Sequence, residues 1–466
     1  MLRISNHYVS KVVFSLLFLE VLILIGSFYA GAGLRVSAGA EFMLPQLDHF
    51  FLSACVFAAA IVFSMSALGM YQVRLSEGLR NSFFLQLMPS FAMGFCILTL
   101  VFYLAPDLYF GRGILVLVFC ISGTGIVLAR MLFLKTSELS FLESRILFIG
   151  CGTLARDCGE LARAGSYHRY RIAGYVRVPC EDVAVPEDSL LVLEEGRTLL
   201  QLARQCRVSE IVVSVQNRRG VEFPIADLLD CKLFGIEVTD STTFFERETC
   251  QIRVESVQPS WLVFGGGFDQ SRVRTFMKRS FDLVASLLLL VVTLPVMLLT
   301  ALAIYIEDRA PVFYSQERVG KDGHLFRVLK FRSMYMDAER GGPPQWAARN
   351  DPRITRVGRV IRKLRIDELP QILNVLKGEM SFVGPRPERP YFVSQLNERV
   401  PYYNVRHSIK PGITGWAQVR YGYGDSVDDA LQKLQYDLYY VKNNSLLLDV
   451  LVLIDTFKVV MFRGGR

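Results

Sequence analysis

The chain has 466 residues, 52% of them hydrophobic, with a formal net charge of +8 and an isoelectric point near 9.0. That length holds two or three domains plus membrane segments. A basic surplus with no nucleic-acid-binding motif argues against a nucleic-acid partner and for anionic lipid and phosphate ligands. The nine cysteines, Cys55 to Cys250, contain no C-x-x-C pair, which argues against a zinc site or disulfide framework and predicts reduced thiols.

Four apolar runs open the chain, at roughly 12–31, 50–70, 84–105 and 113–134, each near the ~20 residues that cross a bilayer. The first reads as a retained span rather than a cleaved signal peptide, since no small-residue cleavage site follows it and further spans do. Arg3 and Lys11 precede the first run, Arg74 and Arg80 lie between the second and third, and Lys135 follows the fourth. The positive-inside bias therefore predicts a four-helix transmembrane domain over 1–140 with both ends in the cytoplasm.

From Arg145 the pattern becomes α/β, and a Rossmann-like cytoplasmic domain is expected over 141–262. Ile146 to Ala155 reads as strand, glycine turn and helix, and the apolar runs at 209–216 and 235–240 read as further strands. Gly150 and Gly152 take the phosphate-turn positions of a dinucleotide fingerprint, but Ala155 replaces the third glycine. At the end of the second strand, where a ribose-binding acid belongs, stands Tyr175-Val-Arg-Val-Pro179, with Glu181 and Asp182 slightly beyond. The incomplete fingerprint favours a structural or regulatory domain. A nucleotide-sugar dehydratase or epimerase would need a Tyr-x-x-x-Lys pair, and the chain contains none.

A fifth apolar segment runs from Leu283 to Ile306 with Pro295 at its centre, where a proline breaks or kinks a helix. Lys278 and Arg279 precede it and Arg309 and Arg318 follow. Basic residues at both ends favour a re-entrant helix over about 280–306, broken at Pro295, that enters and leaves on the cytoplasmic side; a plain spanning helix is the alternative. Thr293 is the nearest hydroxyl for the freed backbone groups. Near the end of the sequence, Ser445 to Phe462 is apolar but interrupted by Asp449, Asp455 and Lys458, which suits an interfacial helix.

Between these segments lies an acidic pair, Asp367-Glu368, among arginines. Pro370 fits only the first turn of a helix, which predicts that the pair sits at a helix N-terminus, where free N–H groups keep carboxylates ionised and attract anions. Arg362, Arg365 and Arg386 add planar forks suited to phosphate, and Arg353, Arg356, Arg359 and Arg362 form a basic stripe leading to the pair. Adjacent carboxylates diverge on a helix, so two different roles are expected, one attacking and one holding a metal. The plainer alternative is a capping Asp and a solvated Glu in surface ion pairs. Trp416 and Tyr421, Tyr423, Tyr439 and Tyr440 read as core or membrane-interface aromatics rather than sugar platforms, and neither His324 nor His407 has a partner at a useful spacing.

Six ordered motifs carry a resemblance. They are Lys278-Arg-Ser-Phe-Asp-Leu283, Lys330-Phe-Arg-Ser-Met334, Asp351-Pro-Arg-Ile-Thr355, Ile366-Asp-Glu-Leu-Pro-Gln371, Phe382-Val-Gly-Pro-Arg-Pro-Glu388 and Lys410-Pro-Gly-Ile-Thr-Gly-Trp-Ala-Gln418. Over about residues 275–460 the sequence resembles the bacterial monotopic phosphoglycosyl transferases, which load a phosphosugar onto a polyprenyl phosphate. The resemblance implies a membrane α-helical bundle, an α/β Rossmann-like cytoplasmic domain and, over 270–466, a mainly α catalytic domain with a re-entrant membrane helix.

The resemblance further implies that Asp367 attacks the sugar-bearing phosphorus of a UDP-sugar and expels UMP, and that undecaprenyl phosphate then takes the phosphosugar from the aspartyl intermediate. Glu368 would ligate Mg2+. Lys330, Arg332, Arg353, Arg362, Arg386 and Asp437 would bind substrate, although Lys330, Arg332 and Asp437 read equally well as ordinary ion pairs. The implied setting is the bacterial inner membrane with the catalytic domain on its cytoplasmic face, as the first membrane step of exopolysaccharide, O-antigen or capsule synthesis. A homo-oligomer is compatible with this reading. A non-enzymatic membrane scaffold for polysaccharide assembly is the rival class; it gives no reason for the acidic pair. Sugar choice is expected to lie in the loops near 338–350 and 419–426.

Overall fold

A computed structural model of the chain describes residues 2–4, 7–37, 47–71, 79–137, 144–164, 170–178, 182–193, 197–215, 223–256, 267–268, 271–309, 311–336, 351–422, 424 and 426–462. The expected sugar-choice loop at 338–350 lies outside them, as do Glu181 and Tyr423. The chain divides into two units, Met1–Leu2 with Tyr8–Glu248 and Arg3–His7 with Thr249–Arg466.

The first unit begins with α1 (Lys11–Ser37), α2 (Leu47–Ala67), α3 (Leu79–Leu104) and α4 (Arg112–Ser137). Each is long and apolar enough to cross a membrane, and the protein is a membrane protein. Leu24, Phe28, Phe57, Ile61, Phe110 and Ile126 fill the bundle core. Glu20 is fully buried there, and a lone charge in that setting is costly. It is matched by Arg130, whose Nε lies 2.5 Å from Oε1, and by the Tyr71 hydroxyl, which donates to Oε2 at 2.6 Å.

The same unit contains a five-stranded parallel sheet of β1 (Ser144–Ile149), β2 (Tyr170–Val176), β3 (Leu190–Leu191), β4 (Glu210–Val213) and β5 (Glu237–Asp240) in the order β3-β2-β1-β4-β5. This is the 3-2-1-4-5 part of the 3-2-1-4-5-6 strand order of a doubly wound fold. Alternation along β1 buries both faces: Leu147 and Ile149 pack with Leu199 and Leu202 of α6 (Leu199–Gln205), whereas Ile146 and Phe148 pack with Ala155 and Cys158 of α5 (Thr153–Ala164). α7 (Ile225–Leu233) and α8 (Ser241–Thr249) complete the layers.

The second unit is built on α9 (Arg272–Asp308). It runs without interruption through Pro295, which corrects the expected division into two helices at that residue. One proline removes a single i to i−4 bond, and a 37-residue helix keeps its bonds on either side. The Thr293 hydroxyl donates to Leu289 O at 2.7 Å rather than to Val291 O, the carbonyl that Pro295 leaves free.

The first of the six motifs anchors α9. Arg279 donates to Val375 O and Leu376 O at 2.6 and 2.7 Å, capping the end of α11 (Gln371–Lys377). Asp282 accepts from Ser381 Oγ and Phe382 N, each at 3.0 Å. At the other end, Glu307 accepts from the first amides of α10 (Arg356–Lys363), Arg356 N at 2.8 Å and Val357 N at 3.2 Å. Between these anchors Leu290, Met297, Ala301 and Ile304 pack with Phe331 and Ile361, while Leu287, Leu288, Val291, Val292, Leu298 and Leu299 remain exposed. An apolar stripe of that extent requires lipid or another apolar cover.

A β6 (Phe313–Val319) and β7 (Leu325–Phe331) hairpin follows, then α10, a 3-10 turn at Ile366–Glu368, α11, β8 (Ser381–Val383), α12 (Pro390–Arg399), β9 (Gly412–Thr414), α13 (Trp416–Arg420), α14 (Val427–Asn443) and α15 (Leu446–Phe462). The acids that interrupt α15 face the protein: Asp449 is buried against Lys278 Nζ (2.7 Å) and the Tyr440 hydroxyl (2.5 Å), while Val450 and Val460 point outward. His7 also belongs to this unit, with its Nδ1 2.9 Å from the Tyr439 hydroxyl. Trp416, Tyr439 and Tyr440 are buried core aromatics, as their composition suggested.

Candidate active site

The acidic pair lies in the 3-10 turn just before α11, and Pro370 is the N-cap of that helix rather than its first residue. The pair is therefore one short turn outside the helix. Arg365, at φ 58°, bends the chain out of α10 into this turn, a backbone position that is strained for a residue with a Cβ.

Two elements present partners to the turn. Asn374 of α11 accepts from Leu329 N at 3.0 Å and donates to Arg327 O at 2.8 Å, stitching the edge strand β7 to the helix. This sets Lys330 so that its Nζ donates to Glu368 Oε1 at 2.8 Å. On the other side the Gly384-Pro-Arg-Pro387 turn is held by the motif beginning at Lys410, through Gly384 N to Thr414 O (2.9 Å) and Gly412 N to Pro385 O (3.0 Å). A Cβ on Gly412 would lie 2.1 Å from Gly384 N, so the two motifs need glycine where they touch. Arg386, presented by this turn, donates to Glu368 Oε1 at 2.9 Å.

The two carboxylates are in opposite electrostatic states. Burial pushes the Glu368 carboxyl up, but Lys330, Arg386 and Arg365 outweigh it and hold the group well below the usual carboxylate range. Burial raises the Asp367 carboxyl, the neighbouring Glu368 charge adds to this, and Lys330, Arg362 and Arg365 oppose it without cancelling it. Asp367 Oδ1 is buried with no hydrogen-bond partner, and such an orphaned atom calls for a function. Burial also lowers the Lys330 ammonium, against the pull of Glu368.

Of the residues singled out from sequence, Asp367, Glu368, Lys330 and Arg386 come together, and Arg362 acts on Asp367 through its field. Arg353 is turned onto Asp351, with contacts of 2.8 and 2.5 Å. Arg332 donates its backbone N–H to Val312 O and buries a guanidinium nitrogen without a partner. Asp437 does not touch the acidic pair; it binds Arg406 at 2.8 Å. Arg406 in turn donates to Arg386 O at 2.9 Å and to the Tyr403 hydroxyl at 2.6 Å. Burial raises the Asp437 carboxyl to about 6, against the pull of Arg406.

Sequence reasoning missed Arg406, Arg318 and Gln371. A cleft beside Glu368 is lined by Arg318, Lys330, Gln371, Arg386, Pro387 and Gly412, and burial lowers Arg318 to about 10, against the pull of Glu388. Arg318 was legible only as a flanking charge and Gln371 only as the last letter of a motif. Arg406 stands in a stretch with no periodic or charge signal.

A strained turn presents one buried free carboxylate and one cation-bound carboxylate, beside a basic cleft and a helix with an exposed apolar face, an arrangement suited to anionic phosphate groups. The bacterial sugar transferase family model matches residues 273–463, and the chain belongs to that family. It is 41% identical over 194 residues to "Exopolysaccharide production protein PSS" of Rhizobium leguminosarum bv. phaseoli, a match covering 40% of this chain and 96% of that protein. It is 44% identical over 238 residues to "UDP-N-acetylgalactosamine-undecaprenyl-phosphate N-acetylgalactosaminephosphotransferase" of Aeromonas hydrophila, covering 51% of this chain and 55% of the relative. Identity to "UDP-glucose:undecaprenyl-phosphate glucose-1-phosphate transferase" of Xanthomonas campestris pv. campestris is 39% over 291 residues, covering 61% of this chain and 60% of the relative. The chain thus spans little more than half the length of the Aeromonas and Xanthomonas relatives.

Proposed function

We propose that the protein transfers a sugar-1-phosphate from a UDP-sugar to undecaprenyl phosphate and releases UMP, as an initiating step of surface polysaccharide synthesis. The observation that carries this reading is the buried, unpartnered Oδ1 of Asp367 beside a carboxylate already neutralised by two cations. Asp367 Oδ1 attacks the sugar-bearing phosphorus, and the bond to the bridging oxygen breaks with its electron pair leaving on UMP. A phosphate oxygen of the lipid then attacks the same phosphorus and breaks the bond to Asp367, which returns to the carboxylate. The covalent relay lets two anionic substrates use one site in turn. Arg386, Lys330, Arg362 and Arg318 attract and orient the phosphate oxygens.

The donor set fits Mg2+. Glu368 Oε2 has only Arg365, 3.9 Å away, and among the described residues no three His, Cys, Asp or Glu cluster. One carboxylate completed by substrate phosphates and water suits this ion. Glu368 would hold it, and its charge would offset that of the diphosphate and ease departure of UMP.

A bend at Pro295, where one backbone hydrogen bond is lost without ending the helix, would let α9 enter and leave the bilayer on one side, the cytoplasmic face of the inner membrane. Anchors at both ends of its apolar stretch to the same unit support this, through Arg279 and Asp282 at one end and Glu307 at the other.

The test is UMP release by the full chain in lipid, with undecaprenyl phosphate, Mg2+ and a panel of UDP-sugars. Release that requires the lipid phosphate and one particular sugar is the expected result; none across the panel from folded protein would favour the scaffold reading. Asp437→Asn probes the support of Arg386. Turnover is expected to fall roughly tenfold or more, as for other groups that orient a binding residue. Wild-type activity should also drop as pH falls through about 6, where Asp437 takes up a proton and loosens its grip on Arg406; the variant should lack that step.

A further inference from the structure

α10 carries positive charge along its outer face. Gly358 and Ile361 face inward, whereas Arg356, Arg359, Val360 and Lys363 are exposed, followed by exposed Leu364 and Arg365. From Arg353 to Ile366 there is no acidic residue. Among the described residues none of Arg356, Arg359 and Lys363 has an ion-pair partner. Two aliphatic side chains, Val360 and Leu364, stand among these cations and are each 56% exposed.

The placement of this face gives it a meaning. The inner side of α10, Val357 and Ile361, packs in the same cluster as Met297, Ala301 and Ile304 of α9, and Glu307 caps its first turn. The neighbouring residues of that stretch of α9, Leu298, Leu299, Leu302, Tyr305 and Ile306, are more than half exposed. The basic face therefore adjoins the part of α9 that turns its apolar side chains outward. Cations with interspersed aliphatics next to a lipid-facing helix match the headgroup layer of a bilayer, where long basic side chains reach phosphates and short apolar ones enter the acyl boundary.

We propose that the outer face of α10, formed by Arg356, Arg359, Val360, Lys363 and Leu364, binds the anionic phospholipid headgroups of the bilayer and gathers them around the catalytic domain. The attraction is electrostatic and is weakened by salt. None of these side chains belongs to the phosphate-binding set around Glu368, so the proposal stands apart from catalysis.

The test uses the full chain in nanodiscs and needs no turnover. Val360→Trp places a fluorophore in the face, and wild-type protein supplies the background from the native tryptophans. Discs of phosphatidylcholine carry a minor fraction of acyl-brominated lipid, either phosphatidylglycerol or phosphatidylcholine. Quenching of the added tryptophan is expected to be about twofold or more stronger with the brominated anionic lipid at low salt. That preference should vanish at high salt, and also when Arg356→Gln, Arg359→Gln and Lys363→Gln are combined. Equal quenching by the two lipids would overturn the proposal, as would an anionic preference that survives the triple substitution. Absence of quenching by either lipid would overturn it too, placing the face away from the bilayer and favouring an acidic protein partner.

Discussion

Asp367→Asn is expected to lower UMP release by about three orders of magnitude or more while leaving the apparent Tm equal to or above that of the wild type. The loss follows from nucleophilicity: a neutral amide oxygen does not form the phosphosugar bond, and removal of a covalent nucleophile abolishes most of the rate acceleration. The stability result follows from linkage. Burial and the Glu368 charge raise the folded-state Asp367 carboxyl above its ordinary value, so the folded state binds this proton more tightly than the unfolded one. The favourable contribution is present below the unfolded-state value and is lost as pH rises through the folded-state value. At neutral pH the ionised group therefore costs stability, and an isosteric neutral amide removes that cost. Loss of activity accompanied by a lower Tm would mark Asp367 as a structural cap. Retained turnover would remove it from catalysis altogether.

Much of this site was legible because its chemistry is concentrated in short stretches. Asp367, Glu368 and Arg386 stand in motifs whose residue types already announce phosphate chemistry, and Lys330 stands in a third. The four opening helices and the parallel sheet were equally plain, since their signals are local: a run of about twenty apolar residues and short apolar runs such as Ile146 to Ile149 followed by a glycine turn. What the sequence hid was direction. Arg353 looked like part of a stripe aimed at the acidic pair, but an aspartate two residues away captures it. Asp437 read equally as a substrate ligand or an ordinary ion pair; its carboxylate is paired with Arg406, 31 positions away in the chain, and that pairing depends on how α14 packs against the turn Tyr403–Ser408. Pro295 suggested a break, yet hydrogen bonds on both sides carry the helix through it. In each case tertiary contact, rather than local pattern, decides the outcome.

Glu368→Gln should damage both stability and activity, for a reason opposite to that for Asp367. Burial disfavours its charge, but Lys330, Arg386 and Arg365 prevail and hold the carboxyl well below its usual range, so its contribution is present above the unfolded-state value and lost only as pH falls through the lowered one. At neutral pH the full contribution is in force. Replacing the carboxylate with an amide keeps the shape and leaves Lys330 and Arg386 facing each other without a counter-charge. Removing one partner of a fully buried pair costs about 3–5 kcal/mol. Here Lys330 is 23% and Arg386 38% exposed, so solvent screens part of the repulsion and a loss of about 2 kcal/mol is expected. Burial already lowers the Lys330 ammonium, and without Glu368 it falls further. The Tm deficit of the variant should therefore shrink as pH rises into the range where Lys330 gives up its proton. In activity, the Mg2+ concentration for half-maximal UMP release should rise roughly tenfold or more, since the carboxylate proposed to hold the ion is lost. A deficit independent of pH, with an unchanged Mg2+ requirement, would show that Glu368 neither balances these cations nor holds the ion.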